Sequence, residues 1–280
     1  VFEQTVDTNI ILFTKQKPLR EHQLKFVEVK NDIKSAIDYI KQNSQTTLQG
    51  KLSDNAWTLA EDRVLTLKEK LEKIGKPLKD WDVKIYRGVL TGFNKAFIID
   101  TETRNRILSN CKTEEEREKT KEIIKPVLRG RDIGRYYYKW AGLWVIKIEA
   151  GWTNKNRGRK EPENFFKTTL LALYEFLISF ADKEIESRGK GLFNRDDQGD
   201  YWWELRYCDY YIEFEKEKVV WQRVTQKPKF ALVPSGFYCE DTTHFTTSNN
   251  DEETFKNKFL IGIFNSKLFE FAFYFHFLQS

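Results

Sequence analysis

The 280-residue chain has no methionine and only three cysteines. Cys111, Cys208 and Cys239 are widely spaced, form no CxxC pair and leave an odd count, which argues against a disulfide framework and a structural zinc site. Without a methionine even at position 1, the chain is expected to be part of a longer protein. Apolar runs such as Ile10 to Phe13 and Phe259 to Phe264 fall far short of the roughly 20 residues that span a membrane. The first residues also lack the basic-then-apolar layout of a signal peptide, so a cytoplasmic protein with no membrane partner is expected.

Several catalytic signatures are missing as well. There is no GxxxxGK[ST] phosphate loop and no HExxH metal motif, and His22, His244 and His276 stand alone, as ordinary surface or core histidines do. An enzyme that methylates amino groups from S-adenosylmethionine would show an Asn/Asp-Pro-Pro-aromatic tetrad, but the chain has no Pro-Pro pair. Glu28-Val29-Lys30 on a strand, with Asp7 upstream, has the carboxylate and lysine spacing of a metal-dependent nuclease. Three residues at that spacing occur by chance in many strands.

What is present is a core-forming composition, 40% hydrophobic and 15% aromatic, enough for one large domain or two small ones. The net charge is only +5, but it is unevenly placed. Between Lys125 and Lys160 ten Lys/Arg face two acids, Asp132 and Glu149, so this stretch alone carries +8. Tyr136, Tyr137, Tyr138, Trp140, Trp144 and Trp152 are interleaved with those bases. Cations for phosphates and flat rings for bases are what nucleic-acid binding uses. A solvated basic face over an aromatic core is the plainer alternative.

Along the chain, Ile10–Phe13 and Leu24–Lys30 read as strands. A helix capped by Asn31 or Asp32 follows, with Ile33, Ile37 and Ile40 on one face. Residues 43–55 read as a polar loop, and Leu59–Ile74 as a helix stopped by Gly75 and Pro77. Ile85–Asp100 reads as strand, turn, strand, its turn Thr91-Gly92-Phe93-Asn94-Lys95 lacking the following helix that a phosphate cradle needs. A charged helix begins at Thr113 and should end by Pro126, and a long buried helix covers Glu161 to about Gly191. The segment from Tyr201 to Thr247 should form strands, and the last segment a helix broken near Asn265-Ser266.

Five stretches, in this order, resemble the TaqI-like C-terminal specificity domain: IYRGVLTGFNKAFIID, IIKPVLRGRDIGRYYYKWAGLWVI, YWWELRYCDYYIEFEKEKVVWQRVT, FALVPSGFYCEDTTHFTTSN and FLIGIFNSKLFEFAFYF. That domain is the target-recognition module of adenine-specific DNA methyltransferases and of type IIG restriction enzymes. The resemblance spans roughly residues 80 to 280, and VFEQTVDTNIILF resembles the segment that joins catalytic and recognition domains. It implies an α+β fold of mixed sheets with several helices, residues 1–78 as a connecting portion and 79–280 as the recognition domain. It also implies double-stranded DNA and an upstream methyltransferase domain as partners, with the target adenine rotated out of the duplex. No cofactor and no catalytic residue is expected in the chain itself; S-adenosylmethionine, with magnesium as a further candidate, would belong to the parent enzyme.

Base-reading residues vary with target in this family, so the candidate DNA contacts rest on charge and loop placement. They are Arg129, Arg131 and Arg135, then Lys155, Asn156, Arg157, Arg159 and Lys160, then Arg188, Lys190 and Arg195, with Thr91 and Asn94 from the turn. Arg129 and Arg131 stand open between contacting DNA and shaping a turn with Asp132. Alternatives are the recognition domain of a stand-alone adenine methyltransferase, a self-contained nuclease and a protein-interaction domain.

Overall fold

The computed structural model describes residues 10–17, 19–29, 35–52, 57–81, 83–181, 184–185, 190–247 and 251–274. Residues up to Gly75 belong to one unit and Lys76–Tyr274 form another. Helices and sheets of antiparallel and mixed strands make the fold α+β.

In the first unit the strands Gln23–Phe26 and Gln45–Leu48 pair antiparallel around the helix Ala36–Asn43. The second strand lies in the segment expected to be a loop. Its sequence, QTTL, offers β-branched threonines but no apolar alternation, so the pairing partner rather than local pattern defines it. The Ser35 side chain caps the helix by accepting from the Asp38 amide, while Asn31 and Asp32 lie outside the described residues. Ile10–Phe13 is not a strand; all four side chains are exposed. The expected helix forms over Asp62–Ile74, but of the face its spacing marks, Val64 and Leu71 are half-buried and Leu67 and Ile74 exposed, while Leu65 is the buried residue.

The second unit is built on two four-stranded sheets. One has the spatial order Phe230–Val233, Lys218–Gln222, Thr243–Thr247, Tyr86–Arg87, all antiparallel. The other runs Tyr238–Cys239, Ile124–Leu128, Leu143–Ile146, Ile98–Asp100, with the first pair parallel. Their shared core contains Phe97, Val127, Val145, Ile146, Phe166, Leu173, Phe214, Val220, Tyr238 and Phe245, all fully buried.

Among the described residues, N-cap side chains open four helices of this unit: Asp100 receives the Thr103 amide for Thr101–Asn110, Thr113 the Glu116 amide for Glu114–Ile123, Glu161 the Glu163 and Asn164 amides for Pro162–Thr169, and Ser266 the Phe269 amide for Lys267–Phe273. The helix expected from Glu161 onward is instead two, Pro162–Thr169 and Leu171–Ile178. Leu170 breaks it with non-helical backbone, φ -139° and ψ 53°, and the buried Glu116 carboxylate accepts the Ala172 amide at 2.8 Å, supplying the cap for the second helix. The strands expected from Tyr201 begin only at Lys218. Before that the chain is irregular and one 3-10 turn because its rings are plugs: Trp203 is buried with Phe166 and Tyr201 stacked on it, each at 4.9 Å. The final helices, Asp251–Phe264 and Lys267–Phe273, part at Asn265-Ser266 as expected.

Candidate nucleic-acid interface

Both sheets end at one short link, Glu240–Thr242. Tyr238–Cys239 belongs to one sheet and Thr243–Thr247 to the other, and the Thr243 amide closes the turn onto the Glu240 carbonyl at 2.9 Å. Four main-chain bonds from three segments pin the link and the residue before it. Glu240 donates to Leu128 O at 2.8 Å, Val89 to Cys239 O at 2.7 Å, Asp241 to Val89 O at 3.1 Å and Arg223 to Thr242 O at 2.9 Å. Glycine is required at the tightest approaches: a Cβ on Gly88 would overlap the Glu240 carbonyl, and one on Gly130 would stand 2.6 Å from the Thr242 carbonyl.

This frame collects charged side chains from three of the five family-like stretches, and a fourth supplies the Gly130 amide. Arg87 Nε and Arg223 Nη1 both donate to Asp241 Oδ1, at 2.5 and 2.8 Å. All three side chains are partly open to solvent, at 41%, 39% and 36%. The Asp241 hydrogen bond holds Arg87 above the ordinary arginine pKa. Beside them Asn94 donates to Glu240 Oε1 at 2.6 Å, and Thr242 accepts the Gly130 amide at 2.9 Å. Burial, with Arg223 and Arg87 nearby, pushes the His244 imidazole below its ordinary pKa and so favours its neutral form. A phosphate cradle would be cationic throughout. Fixed arginines beside fixed carboxylates instead match base edges, where guanidinium suits guanine O6/N7 and carboxylate suits the cytosine amino group.

The sequence gives no reason to single out Arg87, Arg223, Glu240 or Asp241 by charge, because none lies in the basic stretch. The signal that does mark them is their presence within the family-like stretches.

The expected contacts divide differently. Arg129 forms a bidentate pair with Asp132, Nε to Oδ2 at 3.0 Å and Nη2 to Oδ1 at 2.8 Å, so it shapes the turn. Arg131 is exposed, and Arg135 is exposed while donating to the Asn265 carbonyl. Lys155, in the last turn of the short helix Trp152–Asn156, and Arg159 and Lys160, in the loop after it, are exposed and have no side-chain partner among the described residues. Asn156 bonds back to the Trp152 carbonyl, and half-buried Arg157 binds Asn154 Oδ1 and the Lys160 carbonyl, each at 2.8 Å, so both shape that loop. Arg188 lies outside the described residues, as does the side chain of Lys190, whose backbone is in the strand Lys190–Gly191. Asp7 and Lys30 are likewise outside them, and Glu28 is exposed beyond the end of its strand.

Arg195 and Thr91 are corrections, because both are 2% exposed. Arg195 sits over the Phe97 ring and donates to the carbonyls of Thr91, Leu192, Trp202 and Glu204. Burial lowers its pKa to about 10, and the charge holds the fold together from inside. The Thr91 hydroxyl donates to Asn94 Oδ1 and accepts the Phe93 amide, shaping a turn that a one-turn helix, Asn94–Phe97, does follow. Of the six rings in the basic stretch, Tyr138, Trp140, Trp144 and Trp152 pack on the core. Tyr136 and Tyr137 alone are exposed.

Residues 125–280, more than half of the sequence, match the TaqI-like C-terminal specificity domain. The chain belongs to this family. As a TaqI-like specificity domain it is a DNA-recognition module. No curated protein matches it. Among solved structures it is similar to the Type IIL restriction-modification enzyme MmeI in complex with DNA, at 10% identity and a TM-score of 0.37. That similarity covers 60% of this TaqI-like chain and 19% of the enzyme. No helix among the described residues is long and apolar enough to cross a membrane.

Proposed function

We propose that this chain is the sequence-specific double-stranded DNA recognition module of a type IIG restriction-modification enzyme. The parent would be an adenine-N6 methyltransferase with or without a fused endonuclease, and the module itself would not be catalytic. One observation carries the reading: Arg87 and Arg223 share Asp241 Oδ1 on a partly open surface at the junction of two sheets. Such a group is fixed in position yet keeps guanidinium N–H groups and Asp241 Oδ2 for a ligand. In this reading these residues select bases, while Lys155, Arg159 and Lys160 hold phosphates and set register. Residues 1–78 join an upstream methyltransferase domain. S-adenosylmethionine and magnesium belong to catalytic domains upstream, and no residue of this chain is assigned to them. A cytoplasmic location goes with this role.

The test is selection of duplexes from a pool with a randomised core, followed by anisotropy titration at several salt concentrations. The module should enrich one motif and lose affinity steeply as salt rises. Absence of binding at low salt would overturn the reading. The full-length parent, given the selected duplex and S-adenosylmethionine, should methylate adenine N6; methylation elsewhere, or none, would overturn the type IIG part.

A further inference from the structure

Tyr136 is the one non-glycine residue with positive φ among the described residues, at 72°. Left-handed backbone is costly for a bulky side chain and free of that cost for glycine. The ring recovers little by packing, since Tyr136 is 54% exposed and its neighbour Tyr137 63%. A strained, solvent-facing ring points to a contact outside the chain.

The turn that carries these rings is rigid. Ile133 and Tyr138 form an antiparallel bridge, and the Gly134 amide donates to Tyr137 O at 2.8 Å. The Tyr136 amide reaches across to Phe230 O at 2.9 Å. Buried Asn265 holds both main-chain groups of Phe230 through its side-chain amide, and its own carbonyl takes Arg135. The Tyr137 ring lies so close over Gly134 that a Cβ there would overlap it, leaving the other face of the ring outward. The guanidinium of Arg135 stands 5.5 Å over the Tyr136 ring. Arg131, Arg135 and Lys139 surround the tip, all exposed and without a carboxylate partner among the described residues.

The position of the turn is set by strand register. Phe230 pairs with Trp221, Trp221 with His244 and His244 with Arg87, one row across the sheet. The turn therefore lies at the same end of that sheet as Asp241, Arg223 and Arg87.

We propose that the Tyr136–Tyr137 turn is a stacking wedge that enters duplex DNA at a base step, with Arg131, Arg135 and Lys139 on the flanking phosphates. This rests on the DNA-recognition reading. Apolar wedges that partly unstack a step are a known way to bend a duplex, and aromatic stacking is tolerant of sequence. The wedge contributes affinity and deformation, while selection of bases stays with the Asp241 group.

The experiment compares the full chain with Y136G, Y136F, Y137A and R131A/R135A. Thermal midpoints are measured together with anisotropy titrations against a fluorescein-labelled selected duplex, and bending by energy transfer between dyes at the duplex ends. Y136G should raise the thermal midpoint by removing strain, yet weaken binding about tenfold and reduce bending. Y136F should bind like wild type because the ring remains. Y137A should weaken binding without changing the salt slope, whereas R131A/R135A should flatten that slope. Y136G that is more stable and binds as tightly as wild type would overturn the wedge alone. A wild-type chain that binds no duplex at low salt would overturn the recognition reading and the wedge with it.

Discussion

The Thr153 amide donates to the Glu204 carboxylate at 2.9 Å, and neither residue is exposed to solvent. The same carboxylate takes the amides of Gly151 and Asp200 at 3.0 Å, so it stands at the start of the helix Trp152–Asn156 as a built-in anion. Trp203 Nε1 adds a bond to the Thr153 hydroxyl at 2.8 Å. The helix and loop bearing Lys155, Arg159 and Lys160 are therefore anchored from inside the core.

Replacing Glu204 with alanine leaves three amides without their acceptor and should cost about 3–5 kcal/mol. Glu204→Gln keeps one accepting oxygen and should cost about 1–3 kcal/mol. Urea unfolding followed by tryptophan fluorescence measures both. An E204A chain as stable as wild type would show that the anchor carries no load.

Asp241 and its arginines should separate affinity from discrimination. Asp241→Asn removes a negative charge facing a polyanion, so binding to unselected duplex should tighten slightly. The same change leaves one neutral accepting oxygen, weakens the hold on Arg87 and Arg223, and should reduce preference for one base pair by about 1–3 kcal/mol. Arg223→Ala should lose discrimination at that position too, but with weaker binding throughout. Competition titrations with single-position variants of the selected duplex read out each effect, and uniform weakening by both substitutions would assign the group to phosphates instead.

The loop cations should behave in the opposite way. A Lys155/Arg159/Lys160 triple alanine variant should bind selected and unselected duplexes more weakly by the same factor. The slope of log affinity against log salt should fall by about 0.9 for each phosphate contact removed. A change in preferred sequence would place the loop at base edges.

Lys218 gives the fold a distinctive pH response. It is fully buried in a central strand, with its Nζ 3.4 Å from the Pro234 carbonyl, and burial lowers its pKa from 10.5 to about 8. The unfolded chain then holds that proton more tightly than the folded one between about pH 8 and 10.5. The contribution of Lys218 to stability should rise with pH across this window, because the unfolded state binds more protons there, and buried Cys239, whose thiol pKa is pushed up to about 12, opposes it above about pH 9. Lys218→Met should be more stable than wild type by about 1–3 kcal/mol at pH 7, and that difference should shrink as pH rises through the window. Thermal midpoints taken across the window decide the matter.

How much of this was legible in the sequence depended on where the deciding partner lay. The helix Glu114–Ile123 is written locally, in Thr113 and the three glutamates after it. The break at Asn265-Ser266 is local as well, although the bonds of Asn265 to Phe230 that exploit it are not. The run from Glu161 offers no local reason to stop at Leu170; Glu116, 56 residues before Ala172, supplies the new cap. Arg195 looked like a loop cation because burial cannot be read from a charge. The Asp241 group escaped for a related reason, since Arg87 and Asp241 are 154 residues apart and only strand register brings them together.

The Glu240–Thr242 link has a consequence for how this module can diverge. Its backbone is held by main-chain donors and acceptors, so the side chains at 87, 223, 240 and 241 are hardly used for holding the strands together. Gly88 and Gly130, by contrast, admit no larger residue. The junction works as a socket with a fixed rim and exchangeable pins. A lineage can change what such a module selects through a handful of surface substitutions while its core stays untouched.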